Sequence, residues 1–175
     1  MNDKILITNK QIVKSISKVG KQITTDFLEK HSYDNEYEPP VFICILNGAF
    51  LFFSTLIQNV PLTMTIDFIR IKSYTGKEHI TTPILIKDIE ENITNKEVYI
   101  CEDLIDSGNT MNFILEHLQK FEPKSIKIVT LLQRTTKFNK IPSDYNCLQI
   151  QDEWIYGFGL DDNLLKRNLL NIYTK

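Results

Sequence analysis

The segment Val98-Tyr99-Ile100-Cys101-Glu102-Asp103-Leu104-Ile105-Asp106-Ser107-Gly108-Asn109-Thr110 decides the fold. Residues 98–101 form an apolar run of the kind seen in strands buried on both faces. Residues 102–109 turn acidic, then small and polar, and lead into a helix over 110–121. Met111, Ile114, Leu115, Leu118 and Phe121 share one face of that helix, and Glu122-Pro123 stops it. A further strand follows over 125–132. A strand, a helix and a second strand in that order make a right-handed parallel crossover, so the fold class is α/β. In open sheets of that class ligands bind outside the carboxyl ends of the strands, where residues 102–109 lie.

Working outward, Ile12, Ile16, Val19, Ile23 and Phe27 recur at steps of three and four and predict an opening helix. Thr8 with Gln11 reads as its capping box. Residues 41–46, after Pro39-Pro40, read as a second doubly buried strand. Asn47-Gly48 breaks it, and residues 49–58 look helical. Residues 62–68 alternate, with Leu62, Met64, Ile66 and Phe68 on the expected inner face. Residues 72–82 are polar, contain Gly76 and read as a loop, long for a plain connection and so a candidate for function. A short strand over 83–89, a turn over 92–96 and short strands near 147–150 and 153–158 complete the pattern. There are no repeats, and the whole chain, 1–175, reads as one domain.

The chemistry of residues 102–110 divides into two halves. A helix start offers backbone N–H groups and the positive end of a dipole. Gly108 permits close approach, and Ser107 and Thr110 add hydroxyls, so the second half suits a phosphate. The Walker spacing is missing. Glu102, Asp103 and Asp106 would repel a phosphate alone; they make sense as holders of ribose hydroxyls or of Mg²⁺, which takes carboxylate and phosphate oxygens together.

This run resembles the motif by which type I phosphoribosyltransferases bind phosphoribosyl pyrophosphate (PRPP): two acids at a buried strand end, then D-[ST]-G-x-T. Further matches are similar to the hypoxanthine-guanine phosphoribosyltransferases. They are Leu46-Asn47-Gly48-Ala49, Asp67-Phe68 with Lys72-Ser73-Tyr74, Leu85-Ile86-Lys87-Asp88, and Thr130-Leu131-Leu132-Gln133-Arg134. The last is Asp152-Glu153-Trp154-Ile155-Tyr156-Gly157 with Asp161 and Arg167. The resemblance spans about residues 10–167.

It implies a mostly parallel twisted sheet flanked by helices, with a small base-binding hood built from the N-terminal segment and about 135–175. It also implies Mg²⁺-dependent transfer of the phosphoribosyl group to N9 of a 6-oxopurine. Glu102 and Asp103 would hold the ribose hydroxyls and metal, and residues Asp106, Ser107, Gly108, Asn109 and Thr110 the 5′-phosphate. Asp106 would act at purine N7. Arg134, Trp154, Ile155 and Asp161 would bind the base, with Trp154 stacking on it and Asp161 also near a second Mg²⁺. Asn47, Gly48 and Arg167 would bind pyrophosphate, and Ser73 and Tyr74 would sit on a lid loop. Three positions depart from the pattern: Asn47 replaces a basic residue, Arg134 replaces lysine, and Asp162 replaces an aromatic. Lys137 could serve in place of Arg134 only with a shift of register. Xanthine also carries O6, so the preferred base stays open. The family further implies a homodimer or homotetramer.

Bulk properties exclude other classes. Of 175 residues 42% are hydrophobic and 24% charged, with a net charge of −2; a nucleic-acid binder carries a basic surplus instead. The longest apolar stretch, residues 48–57, is far short of the ~20 residues of a membrane span. Cys44, Cys101 and Cys147 are odd in number and lack a C-x-x-C, which predicts neither a disulfide framework nor zinc. No apolar leader segment follows Met1, and the expectation is a reducing, cytoplasmic enzyme. The competing reading is a regulator that senses PRPP on the same fold. It would need an effector or DNA-binding extension that this sequence does not display.

Overall fold

The computed structural model describes residues 3–33, 36–75, 81–106, 108–135 and 141–175. The elements are β1 (Lys4–Ile7), α1 (Asn9–Lys30), β2 (Val41–Leu46), α2 (Phe50–Ile57), β3 (Thr65–Thr75) and β4 (Thr81–Lys87). They continue as β5 (Glu97–Ile105), α3 (Asn109–Gln119), β6 (Ser125–Arg134), β7 (Tyr145–Ile150), β8 (Ile155–Tyr156) and β9 (Ile172–Thr174).

Six strands form one sheet in the order β4-β3-β2-β5-β6-β7, parallel throughout except for the β3–β4 pair. The apolar strands predicted at its centre are there because both faces are covered. On one face Ile12, Ile16, Ile23 and Phe27 of α1 and Phe52 and Leu56 of α2 pack over Phe42, Cys44, Tyr99 and Cys101. On the other, Met111, Ile114 and Leu118 of α3 pack over Ile43, Val98 and Ile100. Thr8 and Gln11 form the expected reciprocal cap of α1. All three cysteines are free thiols.

The chain adds strands leftward from β2 to β3 and rightward from β5 to β7, so the order reverses between β2 and β5. That is the switch point where a doubly wound sheet opens a crevice at its carboxyl edge. A second, antiparallel sheet, β1-β9-β8, stands beside it.

Three expectations are corrected. Strand β5 runs on to Ile105, because Leu104 and Ile105 continue the ladder to Leu132 and Gln133; Glu102 and Asp103 therefore lie in a strand. Residues 72–82 do not read through as a loop. β3 and β4 pair as far as Thr75↔Thr81, with Ser73 opposite Pro83 and Tyr74 opposite Thr82. The ladder is carried by backbone hydrogen bonds, which polar residues make as well as apolar ones, so polar composition did not reveal it. In β3 the inner residue is Asp67, 5% exposed, while Ile66 is 43% exposed. The Asp67 carboxylate accepts the backbone N–H groups of Phe68, Glu90 and Glu91 at 2.6–2.9 Å, and those bonds outweigh alternation. Finally, β1 and β9, with four and three residues, were too short for periodicity to show.

Candidate active site

The site grows from the switch point. Strand β2 ends at Leu46, whose peptide bond to Asn47 is cis, and delivers Gly48 to the crevice. A Cβ on Gly48 would run into the Asp103 carboxylate of the neighbouring strand, and a Cβ on Gly159 would run into the Gly48 carbonyl. Only glycines let these three segments meet this closely. They wall a cavity of about 360 Å³ lined by Gly48, Glu102, Asp103, Thr110, Asp161 and Arg167 together with apolar groups of β2, β3 and β5. A smaller cleft beside it is lined by Glu102, Asp106, Gly108 and Thr110 among others. Glu102 and Thr110 belong to both.

The floor of this groove is acidic. Burial, then the adjacent Asp103 charge, pushes the Glu102 carboxyl well above the ordinary carboxylate range. The same two acids, after burial itself, help raise the Cys44 thiol to about 12, leaving it an inert core group. Among the described residues no cluster of three or more potential ligands forms a metal cage. Glu102 and Asp103 are the adjacent carboxylates that could hold a Mg²⁺ ion, which takes one or two carboxylates plus substrate phosphates.

At the far end of the groove Gly108, with φ +81°, caps α3, and the first turn of that helix carries no acid. An anion there meets the positive end of the dipole, although Glu102 and Asp106 line the same cleft. Ser107 lies outside the described residues, as does Lys137.

Asp106 stands at the rim, 68% exposed by side chain, and Arg134 Nε lies 3.1 Å from its Oδ1. The Nε–H finds no acceptor in line, so the contact is an ion pair rather than an aligned hydrogen bond. Arg134 is fixed instead through Nη1, which donates to the Gln151 carbonyl at 2.7 Å and lies 3.6 Å from Asp152 Oδ1. On the opposite wall Arg167 donates to the Gly159 carbonyl and to Asp161 Oδ1, both at 2.7 Å. Asp161 Oδ2 accepts the Leu164 N–H at 2.8 Å.

The model of the phosphoribosyl transferase domain matches residues 13–163. The hypoxanthine-guanine phosphoribosyltransferase of Staphylococcus aureus is 36% identical over 172 residues, 97% of this chain and 92% of that one. The chain belongs to the hypoxanthine-guanine phosphoribosyltransferase family. A crystal structure of such a phosphoribosyltransferase from Bacillus anthracis superposes with a TM-score of 0.85 at 37% identity, covering 99% of each chain. The hypoxanthine phosphoribosyltransferase of Trypanosoma cruzi in complex with its product IMP gives a TM-score of 0.85 at 28% identity, covering 98% of this chain and 92% of that one.

The phosphoribosyltransferase groove thus gathers Gly48, Glu102, Asp103, Asp106, Gly108, Thr110, Asp161 and Arg167, with Arg134 joined through Asp106. Asn109 opens α3 beside them. Asn47 is exposed and lines neither cavity. Trp154 is 59% exposed and Ile155, in β8 of the small sheet, is buried; neither lines either cavity. Three contributors were not anticipated: Gly159, and Gln151 and Asp152 as holders of Arg134. Gly157 and Gly159, both at positive φ, are two of only six glycines, and that pairing was the available signal.

Proposed function

We propose that this chain transfers the phosphoribosyl group of PRPP to N9 of a 6-oxopurine, hypoxanthine or guanine, releasing pyrophosphate and forming IMP or GMP. One observation carries the choice of base: Asp106 Oδ1 and Arg134 Nε stand 3.1 Å apart at the rim of the groove. A 6-oxopurine presents N7 and O6 side by side on one edge. A carboxylate beside a guanidinium matches a protonated N7 beside a carbonyl O6. Adenine, with an amino group at that position, would face the guanidinium donor to donor. A site that hydrogen-bonds one polar group can reject its analogue by about 10⁴–10⁵.

Each residue then has a task. The amino end of α3, from Gly108 to Thr110, receives the 5′-phosphate. Glu102 and Asp103 would hold the ribose hydroxyls and a Mg²⁺ ion, with Asp161 near a second. When bound, Mg²⁺ offsets the negative charge of the departing pyrophosphate. Asp106 holds the proton at N7 while N9 bonds to the ribose carbon, help of a kind worth about 10²–10⁴ in rate. The indole of Trp154 stacks on the purine, and the backbone at Ile155 reads its edge. Arg167, already held by Asp161, faces the pyrophosphate side with Asn47 and Gly48. The β3–β4 arm with Ser73 and Tyr74 covers the site and excludes water.

Residues 1–175 act as one catalytic unit, in the cytoplasm; among the described residues no helix is long and apolar enough to cross a membrane. The working form is a homodimer or homotetramer, for which Phe50 of α2, 40% exposed, offers an apolar contact. Nucleotide formation with separate bases tests the function, and sedimentation tests the assembly.

A further inference from the structure

Trp154 is the only tryptophan of the chain, and an indole 59% exposed has little packing to hold its plane. What stands over it is Lys175, with Nζ 5.7 Å from the ring centroid, inside the ~6 Å reach of a cation–π contact. Lys175 is itself anchored. Its Nζ donates to Asp162 Oδ1 at 2.8 Å, and the Asp162 side chain is 8% exposed. The other oxygen of Asp162 accepts from Lys166 at 3.1 Å. Lys166 stands 4.0 Å over the Tyr156 ring and 3.7 Å from Asp3, so it serves the packing of the small sheet instead. Asp162 follows Asp161 directly and is paired by backbone hydrogen bonds with Leu165. One buried carboxylate therefore sits between the Asp161–Arg167 wall of the groove and the ammonium that covers the exposed indole.

We propose that Lys175 is a positioning residue for base binding: held by Asp162, it fixes the plane of Trp154 before the purine arrives. The inference rests on Trp154 being the ring that stacks on the base. Rigidifying a binding surface in its bound form raises affinity by removing an ordering cost. The benefit falls on the base and not on PRPP, whose proposed contacts, on β5, on α3 and at Asn47, Gly48 and Arg167, include neither Trp154 nor Lys175.

Lys175→Met keeps the alkyl chain and removes the charge. It should raise the KM for hypoxanthine about fivefold, with kcat and the KM for PRPP within about twofold of the parent. Lys175→Arg should restore most of the loss, since a guanidinium also binds an indole face. Asp162→Asn should give the same split, and combined with Lys175→Met should add little, because both break one chain of contacts. Lys166→Met, cutting the other arm, should lower the melting temperature and leave the KM for hypoxanthine unchanged.

Trp154 emission gives an independent readout. Saturating IMP should quench it in the parent, and Lys175→Met should need about fivefold more IMP for half the effect. If IMP leaves the parent's emission untouched, Trp154 is not at the base, and the stacking assignment falls together with the role of Lys175. If IMP quenches both proteins with equal half-points and the KM for hypoxanthine is unchanged, stacking stands and the positioning role of Lys175 is refuted.

Discussion

Replacing Gly48 by alanine tests whether the groove depends on contact between β2 and β5. The added Cβ would collide with Oδ2 and Cγ of Asp103. The loop cannot back away, because the Gly48 carbonyl already lies where a Cβ on Gly159 would be. The group that must yield is the Asp103 carboxylate. Overpacking of this kind costs about 1–3 kcal/mol of stability, and misplacing a reacting or binding group by about 1 Å can cost 10²-fold in rate. Gly48→Ala should therefore lower kcat/KM for PRPP by roughly 50- to 100-fold, measured as initial rates with PRPP varied at saturating hypoxanthine. Gly20→Ala is the control: its Cβ would stand 2.6 Å from the Asn59 carbonyl, where α1 approaches the end of α2, far from the groove. It should lose comparable stability and keep its kcat/KM at temperatures where it is folded. A Gly48→Ala enzyme within threefold of the parent would refute the reasoning.

Asp106→Asn should bind PRPP as the parent does by calorimetry and turn over at least 10²-fold more slowly; equal turnover would remove Asp106 from the chemistry. Arg134→Ala should raise the KM for the base well above any change for PRPP, and the reverse pattern would place Arg134 on the wrong substrate. At the other end of β5, burial alone would raise the Glu97 carboxyl, but the bonds from Lys30 and His31 outweigh it and hold it below its ordinary 4.5. A depressed acid stabilises the fold above the unfolded pKa, and the gain is lost as pH falls through the folded one. Glu97→Gln should therefore lower the melting temperature near neutral pH, and the gap should narrow as the pH drops below about 4.5. A gap that does not vary with pH would show that the ion pairs contribute nothing.

What was legible in the sequence was local. The face of α1, its Thr8–Gln11 cap and the doubly buried β2 follow from periodicity and spacing alone. The acids and the helix start proposed for the phosphate lie in one continuous stretch, so Glu102 through Thr110 could be read together. What was not legible is contact across the chain. Nothing in the spacing of residues pairs Gly48 with Gly159, Arg134 with the Gln151 carbonyl, or Asp162 with Lys175. Asp67 misled for a related reason: its partners are backbone groups of residues 90 and 91, which no alternation pattern records. The acid at position 162, where the family pattern has an aromatic, is buried and doubly paired.

The most direct test of the central claim is nucleotide formation by the purified protein with PRPP and Mg²⁺, offering hypoxanthine, guanine, xanthine and adenine separately. The account predicts IMP or GMP from hypoxanthine or guanine, none without Mg²⁺, and none from adenine. No product from any base would contradict it. PRPP binding in such an inactive protein would identify a sensor built on the fold.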